Sequence, residues 1–329
     1  MRPRSHRRRC ALAALCGALL GGAPAAAQPV LDDGMTPAQA RARLGLLGLA
    51  QQHVLPRGDG QRAVRLQIVV PPGSAPAGGW PVLYLLDGNA TLQVLAAAGR
   101  APGAVLVGIG YDVDARLDVH ARAWDYTPRL PDAPAQGSPD PRQPGRRNGG
   151  ADAWLELIEQ RVKPLARAAT RLDETRQTLY GHSYGGLFVL HALRTRPQAF
   201  QRYVAASPSL WWHAPYMTER LRTLDTAGCC GAAPRQLYLW VGEEERSRAG
   251  RATPRPAGAA ANARALAAEL ADTPGLAVHY RSFPGLGHGA MLDASAREAA
   301  RIAAPPLSHL ERGGGEQASW RACRRPGAA

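Results

Sequence analysis

Three kinds of side chain that together can activate a hydroxyl occur along this chain in a fixed order. Gly181-His182-Ser183-Tyr184-Gly185 follows a short apolar run at 178–180 and precedes an apolar helical pattern at 184–195. A serine at a sharp strand-to-helix turn presents its hydroxyl above a sheet edge, and crowding at that turn selects small neighbours. The extra Gly186 lets the following helix approach the sheet. A serine hydroxyl is a weak nucleophile until a base takes its proton. His288 is placed to be that base. It follows a strand pattern at 276–283 and a Pro284-Gly285 turn, and Gly287 and Gly289 on either side leave room for the imidazole. His182 adjoins the serine but is expected to point away from it. His191 falls mid-helix and His213 in a tryptophan-rich loop, so neither suits the role.

An acid that holds the base in one tautomer would complete such a relay. Glu243-Glu244-Glu245 directly follows an apolar strand at 237–242, between the serine and the histidine in chain order. Glu245 is the first choice and Glu243 the second. The alternative is a solvated acidic loop beside a Ser183–His288 pair that works without it. Negative charge developing on a carbonyl oxygen also needs two N–H groups aimed at it. Tyr184, next after the serine, would supply one. Gly88 or Asn89, after the strand at 82–86, would supply the other.

The elements needed to position these residues are legible. Apolar runs at 64–70, 82–86, 104–109, 178–180, 203–206, 237–241 and 276–283 each end at a turn residue. This is how strands buried on both faces read. Helical patterns at 152–170 (with Asp152 as its N-cap), 184–195, 259–271 and 290–303 fall between several of them. Strands alternating with helices imply an α/β fold with a mostly parallel sheet covered on both faces. The stretch 128–150 is dense in Pro, Gly, Asp and Arg, and is expected to be a flexible insertion. Residues 305–329 read as a tail.

The first 27 residues have the three parts of a secretory signal: arginines, a 13-residue apolar run at 10–22, and Ala25-Ala26-Ala27 ahead of Gln28. The run is well short of the roughly 20 residues that span a bilayer. The expectation is therefore a mature domain over 28–304 that is periplasmic or secreted, with no stable membrane anchor. The formal net charge is +14, carried almost wholly by scattered arginines. A nucleic-acid binder would gather that charge on one stripe, so no nucleic-acid partner is expected. Neither a CxxC nor an HExxH spacing is present, and no metal or other cofactor is expected. Cys323 is expected to pair with Cys229 or Cys230. An oxidoreductase is disfavoured because Gly108-Ile109-Gly110 lacks the third glycine of a dinucleotide site.

Six segments in order carry a resemblance: Leu85-Leu86-Asp87-Gly88-Asn89-Ala90, Gly108-Ile109-Gly110-Tyr111, Arg122 with Asp125-Tyr126-Thr127-Pro128, the 181–188 elbow, Ser207-Pro208-Ser209-Leu210-Trp211-Trp212, and Gly287-His288-Gly289-Ala290-Met291. Together they resemble the putative esterase family of α/β hydrolases, in the branch that holds periplasmic trilactone esterases of enterobactin-type siderophores. The resemblance implies an α/β-hydrolase fold and an exported serine esterase serving iron acquisition. The substrate it implies is a ferric or apo catecholate siderophore. A Ser-His pair is described as sufficient in that branch. The resemblance puts Arg122 near the pocket, holding an anionic substrate or else pairing with Asp125. Trp211 and Trp212 would stack on catechol rings or serve only as packing. A general exported carboxylesterase is the alternative in the same chemistry. A non-catalytic ligand-binding relative is a third reading, and the retained Ser183, His288 and glycine-rich elbow speak against it.

Overall fold

The computed structural model describes residues 35–304, apart from 59, 100, 101, 227–232 and 246–258. The expected signal segment, the expected C-terminal tail and the expected pairing of Cys323 with Cys229 or Cys230 lie outside the described residues. Strands β1 (Leu49–Leu55), β2 (Val64–Val70), β3 (Trp80–Leu86), β4 (Val105–Tyr111), β7 (Leu172–His182), β8 (Arg202–Ala206), β9 (Arg235–Gly242) and β10 (Leu276–Phe283) form one sheet. Its order is β1-β2-β4-β3-β7-β8-β9-β10. Pairing is antiparallel for β1 with β2 and for β2 with β4, and parallel from β4 onward. A second, two-stranded ribbon joins β5 (Ser138–Pro139) to β6 (Arg147–Asn148).

Helices α1 (Pro37–Leu47), α2 (Gly88–Ala97), α3 (Ala121–Asp125), α4 (Ala151–Leu157), α5 (Lys163–Ala169), α6 (Tyr184–Thr195), α7 (Tyr216–Arg222), α8 (Ala259–Leu270) and α9 (His288–Ala303) complete the described chain. The apolar runs become strands, buried along β2, β3, β4 and β8, whereas β10, at the edge of the sheet, is buried only at Leu276 and Phe283 and is not the doubly covered strand expected. Every residue of β2 and β4 is buried, and aliphatic side chains from alternate positions enter two apolar clusters, one on each face of the sheet. The outer half of β7 is partly exposed, while Gln177 to His182 are buried between β3 and β8. The central strand therefore delivers its C-terminal end, and the serine after it, to the middle of the sheet edge. No helix of the described residues is long and apolar enough to cross a membrane.

Two expectations are corrected. The helix expected over 152–170 is α4, a widened π-type turn at Ile158–Val162 and α5. Pro164 has no N–H to close an ordinary turn. Asp152 is not its cap: it lies in the first turn, and its carboxylate meets His191 Nε2 at 2.8 Å. The 128–150 stretch is not a structureless insertion. Asp140 is buried and caps the N–H groups of Arg142 (2.9 Å) and Gln143 (3.1 Å). Asn148 is fully buried, donating to the Ala123 carbonyl at 2.9 Å and accepting from Trp212 Nε1 at 2.9 Å. Order in this segment comes from satisfied polar groups rather than an apolar stripe, so its composition conceals it.

Candidate active site

The turn after β7 is an elbow in the strict geometric sense. Ser183 has φ 59° and ψ −115°, a conformation that costs a non-glycine residue roughly 1–3 kcal/mol and persists only when its surroundings fix it. They do. Its N–H donates to the Ala206 carbonyl at 3.0 Å, and its own carbonyl accepts from Leu187 (3.0 Å) and Ser209 (3.1 Å). A Cβ on Gly181 would stand 2.3 Å from the Gly185 carbonyl oxygen, and one on Gly186 would stand 2.8 Å from that of Ala206. Strand, elbow and helix are that close because those two positions carry no side chain.

The loops after β9 and β10 meet above the adjacent end of the sheet. Glu243 N–H donates to the Phe283 carbonyl (3.1 Å) and Glu244 N–H to that of Leu286 (3.1 Å). This pairing brings His288, at the start of α9, to both partners. Its Nε2 is 3.0 Å from Ser183 Oγ and its Nδ1 is 2.9 Å from Glu245 Oε2. Glu245 is buried, and its other oxygen accepts from the Ser207 hydroxyl and from Gly242 N–H at 2.9 Å. Burial alone would raise this carboxyl. The hydrogen bond and charge of His288, with the bonds from Ser207 and Gly242, outweigh it and hold the group below the usual carboxylate range. Of the two candidate acids, only Glu245 reaches the histidine. Glu243 is turned outward, accepting from Ser282 Oγ at 2.8 Å, so its candidacy is withdrawn.

His182 is buried against His288. Its ring centroid is 4.7 Å from that of His288, and its Nε2 is 2.9 Å from the His288 carbonyl oxygen. Burial first, then the neighbouring His288 and Arg122, push its pKa well below that of a free imidazole. It stays neutral and donates that hydrogen bond, tying the start of α9 to the elbow.

Tyr184, Gly88 and Asn89 are the first residues of α6 and α2, where N–H groups have no partner within their own helix. The two helix starts are neighbours. Leu85 pairs with Tyr180 across β3 and β7, and a Cβ on Gly185 would stand 3.6 Å from Asp87 Oδ2. The Asn89 side chain donates to the carbonyls of Tyr111, Val113 and Ala115 at 3.0–3.1 Å, fixing the start of α2 against the loop after β4.

Arg122 does not make the expected pair with Asp125. It grips Asp87 through two bonds, Nε to Oδ1 at 2.9 Å and Nη2 to Oδ2 at 2.8 Å, and reaches the His182 carbonyl at 3.2 Å. Burial disfavours its charge, and the Asp87 carboxylate more than offsets that. Asp125 pairs with Arg57 instead, at 2.8 Å. Arg122 thus clips the start of α2 to the elbow. Trp212 is fully buried with its N–H committed to Asn148, so it cannot stack on a ligand. Trp211 is partly exposed, lying 5.6 Å from the Tyr184 ring with the Arg142 guanidinium 3.2 Å from its own ring centre. Sequence reasoning missed Asp87, Asp140, Ser207 and Ser209. Asp140 reaches the elbow by accepting from Tyr184 Oη at 2.8 Å. The last pair stood out only as part of the segment 207–212, two serines flanking a proline directly after an apolar strand.

A mostly parallel sheet that carries a serine on the elbow after its central strand, with a histidine following the last strand, is an α/β-hydrolase fold. The chain is a serine ester hydrolase. Comparison with known proteins gives the family. The model described as Putative esterase matches residues 60–291, and the chain belongs to that family. It is 33% identical to the ferri-bacillibactin esterase BesA of Bacillus subtilis (strain 168), over 77% of this chain and 89% of that protein. It is 31% identical to the apo-salmochelin esterase of Escherichia coli O6:H1, over 73% of this chain and 74% of that one. Among solved structures, the enterobactin hydrolase IroE in complex with DFP superposes with a TM-score of 0.61 at 30% identity, covering 78% of this chain and 95% of that chain.

Proposed function

We propose that this enzyme hydrolyses the ester bonds of a catecholate siderophore outside the cytoplasm, with Ser183 as nucleophile, His288 as general base and Glu245 as the acid that orients it. The observation that carries the mechanism is the unbroken line from Ser183 Oγ to His288 Nε2 at 3.0 Å and from Nδ1 to Glu245 at 2.9 Å. The carboxylate fixes the proton on Nδ1 and leaves Nε2 free to accept. As Ser183 Oγ bonds to the ester carbon, its proton passes to Nε2, and the carbonyl oxygen gains charge opposite the Tyr184 N–H and that of Gly88 or Asn89. Collapse breaks the ester C–O bond, and the imidazolium protonates the departing alcohol. Water then repeats the sequence on the acyl-serine, with His288 again the base. Donors already fixed at two helix starts need no rearrangement as that charge forms.

The substrate class rests on the relatives, whose names specify ferri-bacillibactin, apo-salmochelin and enterobactin. Trp211 is the one tryptophan of the pair left to wall a catechol ring. Export rests on the residues of the first 27 positions. One observation favours a broader carboxylesterase: Asp87 engages the charge of Arg122, the cation the sequence offered for an anionic ligand. Purified enzyme supplied with apo and ferric enterobactin beside short and long p-nitrophenyl esters separates the two readings. Efficient cleavage of the trilactone is expected. Efficient cleavage of simple esters alone would replace it with the broader activity. Ser183→Ala and His288→Ala should each lower kcat by several powers of ten in either case.

A further inference from the structure

The turn after β8 touches the relay at both ends. Ser207, held at φ 45° with its N–H donating to the Trp240 carbonyl at 2.7 Å, gives its hydroxyl to Glu245. Two residues on, Ser209 Oγ is 3.3 Å from Ser183 Oγ, and Ser209 N–H donates to the Ser183 carbonyl at 3.1 Å. Ser209 is 1% exposed. The direction of the hydroxyl–hydroxyl contact follows from counting protons. A serine hydroxyl carries one hydrogen and two lone pairs. With Nδ1–H of His288 engaged by Glu245, Nε2 is an acceptor and the Ser183 proton is committed to it. In the bond between the two serines, Ser209 must then be the donor.

We propose that Ser209 is a further catalytic residue, a hydrogen-bond donor to the nucleophilic oxygen itself. The inference rests on Ser183 being the nucleophile. At 3.3 Å the contact is long for two neutral hydroxyls. It shortens and strengthens as Ser183 Oγ gives up its proton to His288 and carries partial negative charge in the transition state, because a hydrogen bond to a charged acceptor is up to about twice as strong. An interaction that is weak in the resting enzyme and strong as charge develops is the kind that raises kcat. The same donor serves the second half of the reaction. When the acyl carbon–Oγ bond breaks, the leaving oxygen is again Ser183 Oγ. Ser209 steadies it until the imidazolium returns its proton, and Ser209 keeps its own proton throughout. Ser207 fixes the turn from the other side through the buried carboxylate, so Ser209 is held where it can act only on Ser183.

The test is Ser209→Ala, read by the rate at which DFP labels Ser183 and by kcat and KM on a p-nitrophenyl ester. Neither readout depends on the siderophore assignment. Labelling and kcat are expected to fall together by roughly ten- to a hundredfold, with KM unchanged. Ser209→Cys, near in size and a weaker donor, is expected to lie between wild type and Ser209→Ala, and it carries the test if the alanine variant does not fold. A folded Ser209→Ala or Ser209→Cys enzyme that labels within twofold of wild type would overturn the role, as would a loss confined to KM. A wild-type enzyme that DFP does not label at Ser183 would overturn the serine mechanism beneath it, a different failure from equal labelling rates.

Discussion

Glu245→Gln keeps the size of the buried side chain and removes its charge. The carboxylate oxygen is 2.9 Å from His288 Nδ1, and the two charge centres in the transition state are about 4 Å apart. At an effective dielectric constant of about 20, that attraction is worth about 4 kcal/mol, or roughly a thousandfold in rate. His288 is 35% exposed on its side chain, so solvent screening lowers this figure. An amide NH2 turned toward Nδ1 would favour the wrong tautomer and raise it. We therefore expect kcat on a p-nitrophenyl ester to fall by about 10²–10⁴ with little change in KM. A loss below tenfold in a folded variant would refute the reasoning and leave a Ser183–His288 pair acting alone. Stability gives an independent check. The folded-state carboxyl is held below its ordinary value of 4.5. Its stabilising contribution is thus fully present above that pH and is lost as pH falls through the lowered folded value. The melting-temperature advantage of wild type over Glu245→Gln should be larger at pH 7 than at pH 3, and an advantage independent of pH would contradict the assignment.

Arg122→Ala leaves Asp87 buried without its partner, a change that typically costs about 3–5 kcal/mol. It should reduce kcat/KM equally on enterobactin and on a neutral ester, with Arg122→Lys restoring only part of the loss. A loss selective for the siderophore would return Arg122 to substrate binding. Trp212→Phe removes the donor to the buried Asn148 oxygen, at about 1–3 kcal/mol. Its thermal midpoint should drop by several degrees while its turnover of small esters persists, and a turnover collapse without destabilisation would place Trp212 in the pocket. Protein expressed from the full sequence should begin at Gln28 once exported, as read by N-terminal sequencing. An intact Met1 in the cytosol would be the contrary result.

Sequence alone singled out Ser183 and His288, which the structure brings together, and the layered architecture. The turn at Ser183 requires small residues at Gly181 and Gly186, and the runs at 64–70 and 276–283 have the bounds of β2, buried throughout, and of β10, a partly exposed edge strand. The antiparallel edge was less legible. The polar pair Gln51-Gln52 interrupts β1, and its partner residues Ile68 and Gln67 are 15 or more positions away. The sequence ranked Glu245 ahead of Glu243 without deciding between them, since two carboxylates two residues apart are separated only by how the loop after β9 pairs with the loop after β10. The role of Arg122 needed tertiary structure too, because Asp125 is near it in sequence while Asp87, 35 positions away, is the partner it meets. The 128–150 segment and Ser209 follow the same rule. Hydrogen bonds between distant polar groups leave no period and no composition signature, so only the folded chain decides which of them meet.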